Sequence, residues 1–193
     1  MIAIEGCIGS GKSTTARLVA EAMGWNLLLE KTDTHPFLMD FYTDPKKYGI
    51  ETELSFVLLH YNQLHPLDNA QSIVADFSPA KDLIFARMNL HELDLLLFEH
   101  VYKELISKIR MPELVIFLDV PTEELMQRIW RRGRPYEVNV PEAYIRSLRD
   151  HYELYMGELG QNTEVIRIVP GMSPGEVAEK VLEIISGSMA TRS

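Results

Sequence analysis

Residues Gly6-Cys7-Ile8-Gly9-Ser10-Gly11-Lys12-Ser13 match the phosphate-binding pattern GxxxxGK[ST]. Glycines let such a loop curl so that successive N–H groups point inward at phosphate oxygens. A helix starting near Lys12 adds its positive N-terminal end. Lys12 is then expected to reach the β- and γ-phosphates of ATP, and Ser13 to hold Mg²⁺ through its hydroxyl. Cys7 reads as a small filler in a tight loop. The chain has no Asn-Lys-x-Asp segment of the kind a regulatory GTPase uses for guanine, so small-molecule kinases become the main candidates.

A loop of this kind needs a core strand before it and a helix after it. Five stretches rich in Ile, Val and Leu read as buried strands, at 2–5, 27–30, 72–76, 114–119 and 164–169. Helical spacing lies between them at 12–23, 53–64, 90–109, 122–132, 142–159 and 174–185. Strand and helix in alternation predict an α/β fold, a five-stranded parallel sheet with helices on both faces. Nothing splits the chain, so one domain is expected over 1–186, with a disordered small, polar tail over 187–193. The formal net charge of −9 argues against nucleic acid as a partner. No apolar run nears the roughly 18–20 residues of a membrane helix, and no signal peptide opens the chain. The lone Cys7 is compatible with a cytoplasmic location.

The acceptor is read from charge. Strand 27–30 ends in Glu30, at the sheet edge where ligands of such folds bind. A hydroxyl acceptor must lose a proton during transfer, and a carboxylate within reach can take it. A nucleoside monophosphate is already ionised there and needs cations, usually arginines. From Leu18 to Ala86 there is no arginine, whereas Glu30, Asp33, Asp40, Asp44, Glu51, Glu53 and Asp76 all fall in that span. Such a pocket suits a neutral alcohol.

With these residues in view the chain resembles the deoxynucleoside kinases. Ile4-Glu5-Gly6-Cys7-Ile8-Gly9-Ser10-Gly11-Lys12-Ser13-Thr14 is similar to that family's phosphate loop, and Glu30 stands where the family has its general base. The resemblance implies that Tyr42, in Phe41-Tyr42-Thr43-Asp44-Pro45, binds the sugar 3′-hydroxyl. It puts Glu53 at the position of the base-reading glutamine and His60 at that of a nearby arginine. Phe85, in Ile84-Phe85-Ala86, would stack on the nucleobase. Arg128, Arg131, Arg132, Gly133, Arg134, Pro135, Tyr136 and Glu137 resemble the arginine-rich lid, with Glu137 a second 3′-hydroxyl ligand. The family also implies a homodimer. Independently of the likeness, Arg128 and Arg132 share a helix face, and a mobile arginine cluster can neutralise charge on a transferring phosphoryl group.

Two departures stand out. The family has Asp-Arg-Ser or a close variant after the third strand, but here the residues are Ala75-Asp76-Phe77-Ser78. Asp76 is expected to keep the acidic role near Mg²⁺ or Glu30, and Arg87 to supply the lost cation. An Ala-Asp-aromatic sequence with an Arg-Gly-Arg-Pro lid resembles the bacterial purine deoxynucleoside kinases. The second departure is Glu53, whose carboxylate would accept from the N1–H and N2–H₂ edge of guanine, or from an adenine or cytosine amino group, with His60 beside it. The expected reaction is therefore transfer from ATP to the 5′-hydroxyl of a purine deoxynucleoside, deoxyguanosine before deoxyadenosine. The rival readings are a thymidylate-type nucleoside monophosphate kinase and a non-catalytic nucleotide-dependent switch.

Overall fold

The computed structural model describes residues 1–68, 70–137, 140–159, 163–167 and 172–190. Strands β1 (Ile2–Gly6), β2 (Asn26–Leu28), β3 (Ile73–Ala75), β4 (Leu114–Asp119) and β5 (Thr163–Arg167) form one sheet in the order β2-β3-β1-β4-β5. All neighbours are parallel, with Ile2 opposite both Val74 and Leu114. β1 and β4 are buried along their whole length, as apolar strands covered on both faces must be. Ala3, Ile4, Val74, Ile116 and Leu118 pack there with Ala16 and Val19 of α1 (Lys12–Met23) and Leu148 of α7 (Glu142–Leu159). Each of the larger of these side chains, the Val, Leu and Ile, contributes about 1.5–3 kcal/mol of burial. The chain leaves β1 toward β2 on one side and later returns to β4 on the other. That reversal opens the crevice at the carboxyl end of β1, where the glycine loop sits.

Helices α1, α6 (Thr122–Arg132) and α7 have the bounds expected from sequence. Others differ for identifiable reasons. α3 runs Pro45–Leu64, starting before the expected 53, because the Asp44 carboxylate caps the Lys47 N–H and Pro45 takes the first turn. A short α2 (Leu38–Thr43) precedes it. The expected helix 90–109 forms as α5 (Glu92–Ile106), and an unexpected helix, α4 (Pro79–Asn89), precedes it, the two separated where Leu90 turns extended and Glu92 adopts φ 48°. β2 stops at Leu28, so Glu30 lies beyond the strand and not at its last position. The tail expected to be disordered from 187 begins inside α8 (Pro174–Ala190), whose apolar spacing carries the helix on. The expected end of the fifth strand, 168–169, lies outside the described residues.

Candidate active site

The loop after β1 is shaped by its glycines. Gly6 has φ 153°, and a Cβ there would come within 2.6 Å of Ser10 Oγ. Gly9 has φ 84°, with Leu125 O and Ile129 Cγ1 each 3.1 Å from a built Cβ. Side chains would therefore be strained and crowded at both positions. Gly11 caps α1 in the left-handed region without a side-chain bond, which leaves the helix N–H groups open to phosphate. Lys12 Nζ donates to Gly6 O (2.7 Å) and Cys7 O (3.0 Å) inside the loop. Burial, then the Lys81 ammonium, lowers its pKa. Burial also pushes the Cys7 thiol up to about 12, in keeping with a filler. Ser10 is buried and Thr14 exposed; neither lines the cleft.

Glu30 is fixed from several directions. Gln63 of α3 donates to Leu29 O (2.8 Å), and the Glu30 N–H donates to Asp76 Oδ1 (2.7 Å). The other Asp76 oxygen accepts from the Ser13 hydroxyl. His60 Nε2 bonds Glu30 Oε1 (3.1 Å), and its Nδ1 bonds Asp82 Oδ1 (2.7 Å). Lys81 Nζ also donates to Glu30 Oε1. Burial opposes charge on His60, but Asp82 and Glu30 overcome it and lift its pKa to about 9. Burial likewise works against the Glu30 carboxylate, yet Lys81 and His60 hold it well below the ordinary carboxylate range. Glu30 is thus ionised at neutral pH.

One cleft gathers most of the residues expected from sequence. Ile8, Gly9, Lys12, Ser13, Glu30 and Asp76 line its floor, and Tyr42, Glu53, Phe85, Arg132, Arg134 and Glu137 line its walls. Arg132 Nε donates to Glu137 Oε2 (3.1 Å), and Arg134 Nη1 lies 3.6 Å from Glu137 Oε1. Arg128 is nearby on α6, donating to Glu124 (2.8 Å) and to Ser10 O (3.2 Å). Glu53 is 2% exposed and accepts from Asn89 Nδ2 (2.8 Å). Burial raises its pKa to about 8, so at pH 7 it is mainly a neutral acid and not the expected carboxylate. Ser13 and Asp76 offer hard oxygen donors suited to Mg²⁺. No cluster of three His, Cys, Asp or Glu able to hold a metal occurs among the described residues, so phosphate and water would have to complete the shell.

Two expectations are corrected. His60 does not read the base: it is fully buried, and both ring nitrogens are taken by carboxylates. Arg87 does not replace the missing cation: it sits on the outer side of α4, paired with Glu99 at 3.5 Å. The cation that faces Glu30 is Lys81, in the first turn of the same helix. A lysine in a first turn opposes the helix dipole, a misfit that shows only once α4 is known to start at Pro79. Asp82 and Thr52 join the cleft without having been expected there, and Tyr136, expected as part of the lid, lines it too. Asp82 Oδ2, Thr52 Oγ1 and Tyr136 Oη are buried at the cleft without a hydrogen-bond partner. Each such group costs about 1–3 kcal/mol unless a ligand satisfies it.

Comparison with known proteins places the chain in a family. A deoxyguanosine kinase of Bacillus subtilis is 31% identical over 163 residues, covering 82% of this chain and 79% of that protein. A deoxyadenosine kinase of Dictyostelium discoideum is 32% identical over 174 residues, covering 86% and 71%. The fold is similar to that of a deoxyadenosine kinase from M. mycoides solved with bound dCTP, with a TM-score of 0.84 over 96% of this chain and 98% of that one, at 23% identity. The family model "Deoxynucleoside kinase" matches residues 2–180, and the chain belongs to the deoxynucleoside kinase family.

Proposed function

We propose that this enzyme transfers the γ-phosphoryl group of ATP to the 5′-hydroxyl of a purine deoxynucleoside, with Glu30 as general base. The observation that carries the reading is the ionised Glu30 in the same cleft as the Lys12 loop. Each cation on the acceptor side already faces a carboxylate, Lys81 on Glu30 and Arg132 and Arg134 on Glu137. That balance suits an uncharged alcohol better than a monophosphate. The loop N–H groups and Lys12 bind the phosphates, and Ser13 and Asp76 would hold Mg²⁺, which neutralises phosphate charge. Glu30 accepts the 5′-hydroxyl proton as that oxygen bonds to the γ-phosphorus and the bond to the leaving ADP breaks. Tyr42 and Glu137 hold the sugar, and Phe85 lies against the base. Arg128, Arg132 and Arg134 act as a lid beside the αL turn at Gly133, steadying the transferring group.

Base recognition falls to Glu53 and the unpaired Asp82 Oδ2. Neutral Glu53 offers one donor and one acceptor, the complement of the adenine N1 and N6 edge; ionised, it suits the two donors of guanine. Exposed Leu58 of α3 and Leu93, Leu96 and Leu97 of α5 support self-association as a homodimer. No described helix is long and apolar enough to cross a membrane, and we expect a cytoplasmic enzyme. A panel of the four deoxynucleosides, with dGMP and dTMP beside them, tests the reading with ATP as donor. Purine deoxynucleosides should be the best acceptors. Preferred phosphorylation of a monophosphate would replace it with the thymidylate-type alternative.

A further inference from the structure

Lys81 has a second feature besides its bond to Glu30. Its ammonium lies 5.5 Å from the centroid of the Phe56 ring and 5.6 Å from that of Phe85, and its side chain is 13% exposed. Both rings line the cleft, and Phe85 is the proposed neighbour of the nucleobase. The ammonium therefore stands in the approach that an acceptor must use. It is held by one carboxylate and two ring faces, a good site for a buried cation. The stem is flexible, and Lys12 repels it from the phosphate side.

Resting on the kinase reading above, we infer that Lys81 is an acceptor-displaced positioning residue. Its ammonium keeps Glu30 paired until a nucleoside enters and moves it aside, so the base is released only when an alcohol is present. The risk it controls is hydrolysis. In that side reaction a water oxygen bonds to the γ-phosphorus, the bond to the bridging oxygen of ADP breaks, and Glu30 takes the water's proton. A carboxylate whose Oε1 is shared by the Lys81 ammonium and His60 Nε2 carries less negative charge and is a poorer acceptor for that proton. The arrangement gives the enzyme a reason to use a buried lysine from α4 in place of the arginine that the family resemblance predicts directly after Asp76. A guanidinium would stay bidentate on the carboxylate, whereas an ammonium on a four-carbon stem can leave.

The test needs a probe that fills the acceptor slot without offering a nucleophile. A 2′,5′-dideoxypurine nucleoside lacks the 5′-hydroxyl and serves with the unmodified protein. It should raise ATP hydrolysis on the order of tenfold, because Lys81 is displaced and only water remains to react. Lys81→Met should hydrolyse ATP at that higher rate without any nucleoside, and the analogue should add nothing further. Lys81→Arg should keep hydrolysis low and raise the KM for the nucleoside more than it lowers kcat. If the analogue leaves hydrolysis by the unmodified protein unchanged or lower, the inference is overturned, whatever the variants do. Failure of the underlying reading looks different: the unmodified protein would then phosphorylate no deoxynucleoside at all.

Discussion

Replacing Glu53 by Gln separates the effects of its charge from those of its shape. Burial raises the Glu53 pKa from 4.5 to about 8. A carboxyl whose folded pKa lies above its unfolded value stabilises the fold fully below the unfolded pKa, and that stability is lost as pH rises through the folded one. The loss runs from about pH 4.5 to about pH 8, at about 1.4 kcal/mol per unit. Glutamine has the same outline and does not titrate. The unfolding free energy of Glu53→Gln, relative to the natural protein, should therefore grow by about 3 kcal/mol between pH 5.5 and pH 8.5. Urea titrations at the two pH values read this directly. The same ionisation should steer base choice. About one tenth of Glu53 is ionised at pH 7 and about nine tenths at pH 9. The ratio of kcat/KM for deoxyguanosine over deoxyadenosine should climb by up to about a hundredfold across that range, and stay flat in Glu53→Gln. A stability difference independent of pH would refute the buried-acid argument. A pH-dependent stability with a constant base ratio would remove Glu53 from base recognition.

Other substitutions follow from the contacts. His60→Gln breaks the bridge between Asp82 and Glu30 and leaves two buried carboxylates without their shared partner, so the fold should lose about 3–5 kcal/mol on denaturation. Where it still folds, kcat should fall and the ranking of bases should not change; a changed ranking would return His60 to the base site. Arg87→Met removes an exposed ion pair with Glu99 and a contact with the Tyr155 ring, both away from the cleft, so stability should move by about 1 kcal/mol or less and kcat by less than twofold in steady-state assays. A large loss of kcat there would reinstate Arg87 as the missing cation.

What the sequence discloses and what it withholds divide along physical lines. The phosphate loop is legible because its chemistry is local: the glycines, Lys12 and Ser13 are neighbours in the chain, and β1 and α1 flank them. α6 and α7 are equally legible, since Pro121 and Gly133 mark the ends of α6 and the apolar spacing of α7 is strong. The helix α4 is hidden because its apolar residues show little helical asymmetry, and Pro79 at its first turn is the one local start signal. Glu30 was found by its place in chain order, although the apolar run Leu27-Leu28-Leu29 suggested a longer strand than forms. His60 and Lys81 could not be assigned this way. Their roles depend on carboxylates at 30 and 82 being folded together, and the burial of Lys81 exists only in the fold.

Single-turnover transfer by Glu30→Gln addresses the account's main claim. With ATP and the best purine deoxynucleoside premixed at saturation, rapid quenching measures the phosphoryl-transfer step apart from binding and release. Loss of a general base predicts a rate lower by about 10²–10⁴-fold, with nucleoside affinity changed only a few-fold. Transfer at the natural rate, or a loss confined to affinity, would contradict Glu30 as the base.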